Sequence, residues 1–176
     1  MEHAQIAIFW LKSRKFEIKL EYVEYLNRGA KLVHEHVIKA GYEILENSPL
    51  CLMTKKVLAL HDGKNKRIYI CTGNLKSILL WNLPQSPRDK LSKTRKKETT
   101  FFMSKALTHE AVHAAQYCNG GKIIAPHKAS RLAKEWKKEA IDLSLMIGGT
   151  EAREEEAYLL ESDPFYVAGA IEKFCF

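Results

Sequence analysis

Two histidines and a glutamate lie close together in the stretch LTHEAVHAAQ, residues 107–116. In a helix, His109 and His113 would lie about 40° apart around the axis and project from the same face. Both imidazoles could then bind one metal ion, and imidazole nitrogen is a common ligand of zinc. Glu110 would lie about 100° around from His109, beside the ligands, where a carboxylate can take a proton from a metal-bound water. The spacing therefore predicts a catalytic Zn2+ site with Glu110 as the base.

Such a site needs a third protein ligand from another element, while water takes the fourth position. The best candidate is Glu154 in AREEEAYLLESDP, about forty residues after His113 and just past the Gly148-Gly149 break. Glu151, one turn earlier on the same face, is the nearest alternative. Carboxylates at the start of a helix also stabilise that helix, because they interact with the positive end of its dipole, and this needs no metal. The charge pattern by itself therefore leaves the role of Glu154 open.

The H-E-x-x-H motif followed on the next major helix by Glu-x-x-Ala, here residues 154–157, resembles the gluzincin class of zinc metallopeptidases. Within that class the chain most resembles the mitochondrial peptidase family that matures a subunit of the ATP synthase. The likeness rests on RIYICTGNL, LTHEAVHAAQYC and EEEAYLLE, and it covers residues 67–176 in pieces. The resemblance implies a zincin-like α+β fold and a metal site formed by His109, His113 and Glu154.

Two departures from that family concern the substrate more than the metal site. Gln116 stands where the family has an aspartate after the second histidine, and the family's downstream paired cysteines are missing. A rival third ligand is His127 in IIAPHKASR, at a spacing similar to that of SprT-like metallopeptidases, which act on protein crosslinked to DNA. Pro126 and Lys128 stand where that family usually has glycine and aromatic residues.

The composition is that of a globular protein, with 46% hydrophobic and 28% charged residues in a chain of 176. We expect one domain over residues 1–176. The apolar runs are too short to cross a bilayer and the start carries an acid where a signal peptide has bases, which favours a cytoplasmic location. Four cysteines without a C-x-x-C pair predict free, buried thiols in a reducing compartment.

Six bases and one acid are concentrated in RDKLSKTRKK, from Arg88 to Lys97, in a chain of formal net charge +7. Charge runs of this kind usually form a solvated surface, here a loop leading into the motif helix. The alternative is contact with nucleic acid or an acidic surface. A competing function is therefore that of a non-catalytic basic binding protein, in which the H-E-x-x-H helix has no enzymatic role.

Hydrophobic periodicity and turn residues predict the surrounding elements. In chain order they are a long amphipathic helix over Lys15–Leu45, a strand, turn and strand within residues 55–73, a loop at LPQSPRDK, a helix from Thr99 or Thr100 that ends at Asn119-Gly120-Gly121, a helix across residues 129–147, and a last helical region from about Thr150, broken near Asp163-Pro164.

The predicted reaction is hydrolysis of a peptide bond in a protein or peptide substrate. Zinc would lower the pKa of its bound water, and Glu110 would remove the proton and pass it to the leaving amine. The oxyanion needs another donor, and Tyr158, Tyr166 and His127 are the candidates. Residues Ile68 to Cys71 are the candidate edge strand for pairing with an extended substrate.

Overall fold

The structure is a computed structural model that describes residues 21–52, 55–75, 88–125, 141–142, 145 and 149–176. The described residues form an α+β fold, rich in helix, as the sequence predicts. Its elements are helices α1 (Arg28–Lys39), α2 (Arg88–Cys118), α3 (Glu151–Leu160) and α4 (Pro164–Cys175), strands β1 (Glu43–Glu46), β2 (Ala59–Asp62) and β3 (Arg67–Ile70), and short 3-10 helices at Glu21–Tyr25 and Pro49–Leu52.

The three strands form one sheet in the order β1-β3-β2. β1 pairs parallel with β3, and β2 pairs antiparallel with β3 across the predicted turn. The prediction of an edge strand at Ile68–Cys71 is wrong, because β3 is the central strand of this sheet. Ile68 and Ile70 are fully buried, as expected for a nearly continuous apolar run between two neighbours. The edge strand that packs against helix α2 is β2.

Helix α1 is shorter than the predicted helix over Lys15–Leu45. It begins after Asn27, whose Oδ1 accepts a hydrogen bond from the Ala30 amide at 2.9 Å, an N-cap that fixes the first turn. It ends before Gly41, which has a φ of 84°, a conformation that suits glycine. The chain then enters β1, and the first part of the predicted helix, up to residue 20, lies outside the described residues.

Helix α2 carries the motif and ends where predicted, since Gly120 and Gly121 follow it with φ values of 67° and 79°. Its start at Arg88 corrects the prediction of a loop through the basic run. Lysine and arginine have high helix propensity, so a charged run can extend a helix into solvent. Lys96 and Lys97 are exposed, while the side chains of residues 88–95 lie outside the described part.

The predicted break in the last helical region is confirmed. Helix α3 begins after Thr150, and Asp163 caps α4 by accepting a hydrogen bond from the Tyr166 amide at 3.2 Å, with Pro164 in the first turn. Helix α4 packs against α1 and α2. The helix predicted across residues 129–147 lies outside the described residues except at positions 141–142 and 145, which are helical.

The core is shared by the sheet and the helices. Its fully buried members are mostly aliphatic, and Ala157 on α3 is one of them, so a small residue does allow α3 to approach α2 closely. Among the described residues, no helix is long and apolar enough to cross a membrane.

The prediction of free thiols is wrong, because all four cysteines form disulfides. Cys51 pairs with Cys71, and Cys118 pairs with Cys175. The paired residues are 20 and 57 positions apart, so the spacing of cysteines along the chain gives no sign of either bond. The second disulfide ties the end of α2 to the end of α4, and it therefore anchors the helix that carries the motif.

Replacing Cys118 and Cys175 together by serine is expected to lower the free energy of unfolding by about 4 kcal/mol, since the bond restricts a long loop of the unfolded chain. The Cys51–Cys71 bond closes a shorter loop, so the Cys51→Ser/Cys71→Ser variant should lose about 3 kcal/mol of unfolding free energy. Urea unfolding of the three proteins measures both differences. A wild-type chain that exposes free thiols in denaturant without reductant would contradict the assignment.

Candidate metal centre

Three predicted ligands come together between helices α2 and α3. His109, His113 and Glu154 are all buried and offer ligand atoms within 4.8 Å of one another. The two Nε2 atoms of the histidines are 3.2 Å apart. Glu154 Oε1 lies 3.3 Å from His113 Nε2, and Glu154 Oε2 lies 3.5 Å from His109 Nε2. These residues could hold a metal ion, and this is the group predicted from the sequence.

The distances between the ligand atoms fit a single small ion. Four ligands arranged tetrahedrally at 2.0–2.1 Å, the distance typical of zinc and imidazole nitrogen, are separated by about 3.3–3.4 Å. Here the two Nε2 atoms are 3.2 Å apart, and each faces a different oxygen of Glu154, with His113 Nε2 3.3 Å from Oε1 and His109 Nε2 3.5 Å from Oε2; with one ligand atom per residue, the three atoms lie within 4.8 Å of one another. Glu154 Oε2 is also buried without a hydrogen-bond partner among the described residues. A buried carboxylate oxygen without a partner is costly, and a bound cation would satisfy it.

The electrostatics of the group favour a positive charge. Burial lowers the pKa of His109, but the adjacent carboxylates of Glu154 and Glu161 outweigh this effect and raise the pKa above its ordinary value. Burial raises the pKa of Glu154, but the two histidines outweigh it and hold the pKa well below its usual range. Without a metal the cluster therefore attracts a proton to His109 and keeps Glu154 ionised, and a cation could take the place of that proton.

Each histidine presents its second ring nitrogen to a polar partner. His109 Nδ1 lies 3.5 Å from Glu161 Oε2, and the other oxygen of Glu161 accepts a hydrogen bond from Lys105 Nζ at 3.1 Å. His113 Nδ1 lies 2.9 Å from Gln116 Oε1. Metal-binding histidines commonly donate this second N–H to a carboxylate or carbonyl oxygen, which fixes the ring and the tautomer. The arrangement leaves Nε2 of both histidines directed at the common point.

Glu110 is buried next to the two histidines but is not a member of the three-residue group. Burial raises the pKa of its carboxyl above the ordinary value, although His109 and His113 lower it. A carboxylate with a raised pKa is a better proton acceptor at neutral pH than a solvated one. Glu110 thus lies on α2 beside the two histidines, and its role as a base stays a prediction.

The alternative prediction, in which Glu151 is the third ligand, is wrong. Its side chain is exposed at the start of α3 and is not in the group, because the residue three positions later is the one that α3 turns towards α2. The other alternative, His127, lies outside the described residues. Of the proposed oxyanion donors, Tyr158 has its ring centroid 4.4 Å from that of His109. Tyr166 donates from its hydroxyl to the Ile124 carbonyl at 3.3 Å.

An aromatic cluster formed by His61, Tyr117 and Tyr42 lies next to the ring of His113. The ring of His61, on edge strand β2, has its centroid 6.1 Å from that of His113 and 6.2 Å from that of Tyr117. Its Nε2 lies 3.3 Å from the Tyr42 hydroxyl. Burial lowers the pKa of His61 to about 3, and His113 adds to this effect. His61 is therefore neutral at physiological pH, and it brings strand β2 against the side of α2 that carries His113.

Four polar residues behind the two histidines and Glu154 were not predicted to belong to the site: Gln116, Glu156, Glu161 and His61. Two of them carry a signal in their spacing. Gln116 is three residues after His113, and Glu161 is seven residues after Glu154, so each shares a helix face with a ligand. His61 and Glu156 carry no such signal, because the helix and sheet packing alone brings them to the site.

Comparison with known proteins gives one family. The sequence model of the family described as Domain of unknown function (DUF8637) matches residues 22–176. No curated protein and no solved structure matches the chain.

Proposed function

The chain belongs to the family of this domain of unknown function, and we propose that it is a zinc-dependent metallopeptidase with a zincin-like active site. The observation that carries the proposal is the buried group of His109, His113 and Glu154, whose ligand atoms lie within 4.8 Å of one another. Three protein ligands and one position left for water are typical of catalytic zinc, whereas structural zinc sites usually have four protein ligands. The neighbouring carboxylate of Glu110 supports hydrolysis, because it is outside the ligand group.

A bound zinc ion would supply Lewis-acid polarisation of the scissile carbonyl and would make a water molecule more acidic. Glu110 takes the proton from that water and gives it to the leaving amine. Tyr158, whose ring packs against His109, is the proposed additional donor to the oxyanion. Gln116 holds the ring of His113 in orientation through its hydrogen bond to Nδ1, and the Glu161 carboxylate lies 3.5 Å from Nδ1 of His109.

The proposed substrate is an extended segment of a protein or peptide. In the described sheet β2 is an edge strand, and His61 brings it close to His113. An extended chain can add to such an edge through backbone hydrogen bonds, so that one of its peptide groups lies near the ligands. The exposed Lys96 and Lys97 on α2 are the described part of the basic run, and contact with an acidic partner there remains a prediction.

The compartment is part of the proposal. Disulfides persist in oxidising compartments and are rare in the cytosol. Two disulfides account for all four cysteines, and they weigh against the cytoplasmic location predicted from the sequence.

Metal content tests the proposal directly. After mild dialysis, elemental analysis of the wild type is expected to find about one zinc per chain, since three protein ligands suffice to hold the ion. Glu154→Ala should lose it, because two histidines alone bind too weakly. Glu151→Ala is the matched control, with a carboxylate removed from the exposed face of the same helix, and should keep the metal.

His127→Ala distinguishes the rival site. Zinc that is lost from His127→Ala and kept by Glu154→Ala would favour the SprT-like arrangement instead. A wild type that retains no stoichiometric zinc, even after reconstitution, would overturn the peptidase proposal and return attention to the basic binding protein.

A further inference from the structure

The side chain of Gln116 connects two of the metal ligands. Its Oε1 lies 2.9 Å from His113 Nδ1 on its own helix and accepts a hydrogen bond from Arg153 Nε at 3.3 Å. Its Nε2 donates across to α3, to the Arg153 carbonyl at 3.0 Å and to Glu156 Oε2 at 2.8 Å. Arg153 precedes Glu154 and Glu156 follows it by two positions. One fully buried amide therefore touches the second histidine and both sides of the third ligand.

Glu156 extends this network into the segment that follows α2. The side chain is fully buried, and its Oε1 accepts hydrogen bonds from the Ile124 amide at 2.9 Å and the Ala125 amide at 2.6 Å. Its Oε2 accepts from Ile124 as well, at 2.9 Å, besides the bond from Gln116. A buried carboxylate is stable when donors of this number surround it. Three donors, the Ile124 amide, the Ala125 amide and Gln116 Nε2, therefore satisfy the buried carboxylate of Glu156.

The chemistry of the network requires an amide at position 116. An amide offers an acceptor oxygen for the N–H of His113 and donor hydrogens for Glu156 and the Arg153 carbonyl. An ionised carboxylate offers acceptors only and would place a second negative charge against Glu156. Gln116 stands where the family that this chain resembles has an aspartate, and an amide suits the hydrogen-bond partners that surround this position in this chain.

We infer that Gln116 and Glu156 are a positioning pair that sets the geometry of the metal centre. Gln116 turns His113 so that Nε2 faces the ion, and its bonds to α3 hold that helix where Glu154 reaches the same point. The pair touches neither substrate nor reacting atoms. This inference rests on the proposed function, because it assigns the pair a role only towards a bound metal.

Exchanging the two side chains gives a sharp test. Gln116→Glu alone places two buried carboxylates against each other, an effect that the nearby Arg153 Nε only partly offsets. Glu156→Gln alone turns one acceptor into a donor, which then faces either Gln116 Nε2 or the backbone amides of Ile124 and Ala125. In the double variant the new carboxylate at position 116 accepts from His113. The new amide at position 156 donates to that carboxylate and keeps one oxygen for the Ile124 and Ala125 amides. The carboxylate introduced at position 116 would still face the Arg153 carbonyl, so we expect recovery to be incomplete.

The measurement is zinc affinity, by competition with a chelator, on protein shown to be folded. Each single variant is expected to bind zinc about 10- to 100-fold more weakly than the wild type, the usual effect of losing an outer partner of a ligand. The double variant should bind more tightly than either single variant and more weakly than the wild type. Glu155→Gln removes a charge between Glu154 and Glu156 and serves as the control, with affinity unchanged.

Cobalt(II) in place of zinc supplies a second readout. The visible spectrum of bound cobalt depends on the arrangement of its ligands, so the single variants should shift it and the double variant should move it back. Wild-type affinity and spectrum in both single variants, or losses that simply add in the double variant, would overturn the inference while leaving the proposed function intact. A wild type that binds no zinc would overturn both.

Discussion

Replacing Glu110 by glutamine is expected to leave the metal in place and to remove most of the hydrolysis. In the proposed site the metal is held by His109, His113 and Glu154, so one zinc per chain should remain. The amide cannot accept the proton from water, and loss of a general base typically costs about 10²- to 10⁴-fold in rate. The measurement is kcat/KM of the zinc-loaded protein on an unstructured protein substrate, together with its metal content.

Glu155→Gln is the matched control for that experiment, because it neutralises a glutamate of α3 outside the ligand group and should cleave as the wild type does. Two results would contradict the assigned role. Full activity of Glu110→Gln would mean that another group accepts the proton. Loss of zinc from the same variant would mean that Glu110 is a ligand, and the three-residue group would then be incomplete.

Features with a local cause were predictable from the sequence. The end of α2 follows from Gly120 and Gly121, and the break before α4 follows from Asp163 and Pro164. The shared face of His109 and His113 follows from helix geometry alone. Spacing and resemblance reduced the candidates for the proposed third ligand to a few residues, one of them Glu154. They did not select a single residue, because the sequence predicts a helix but not which side of it faces α2.

Features that depend on packing between distant segments were not predictable. The helical period of residues 15–45 continued past the end of α1, because Ile44 falls at a helical interval yet is buried on strand β1, which pairs with β3. Cys118 and Cys175 meet only because α2 and α4 lie side by side. Gln116 and Glu156 look like surface residues in the sequence, yet each is fully buried because the other satisfies its polar atoms.

Gly149→Ala is expected to weaken zinc binding by about 100-fold or more, above the usual effect of outer partners, because it displaces a ligand. A Cβ at position 149 would overlap Glu154 Oε1 and would lie 3.0 Å from Cγ of the same side chain. Gly149 is not among the glycines with positive φ, so alanine strains no backbone there. The added methyl group therefore acts on the carboxylate, and zinc competition with a chelator measures its effect.

Gly169→Ala provides the control, since a Cβ there meets nothing within 4 Å and alanine stabilises a helix interior by about 1 kcal/mol relative to glycine. It should keep wild-type zinc affinity and unfold at slightly higher denaturant. If Gly149→Ala kept wild-type affinity, the carboxylate of Glu154 would not need its position over Gly149 to reach the ion. If Gly149→Ala lost zinc only because the variant folds poorly, its free energy of unfolding, measured with a chelator present, would be lower than that of the wild type. Weak binding with unchanged stability of the metal-free chain is the result that ties the glycine to the ligand.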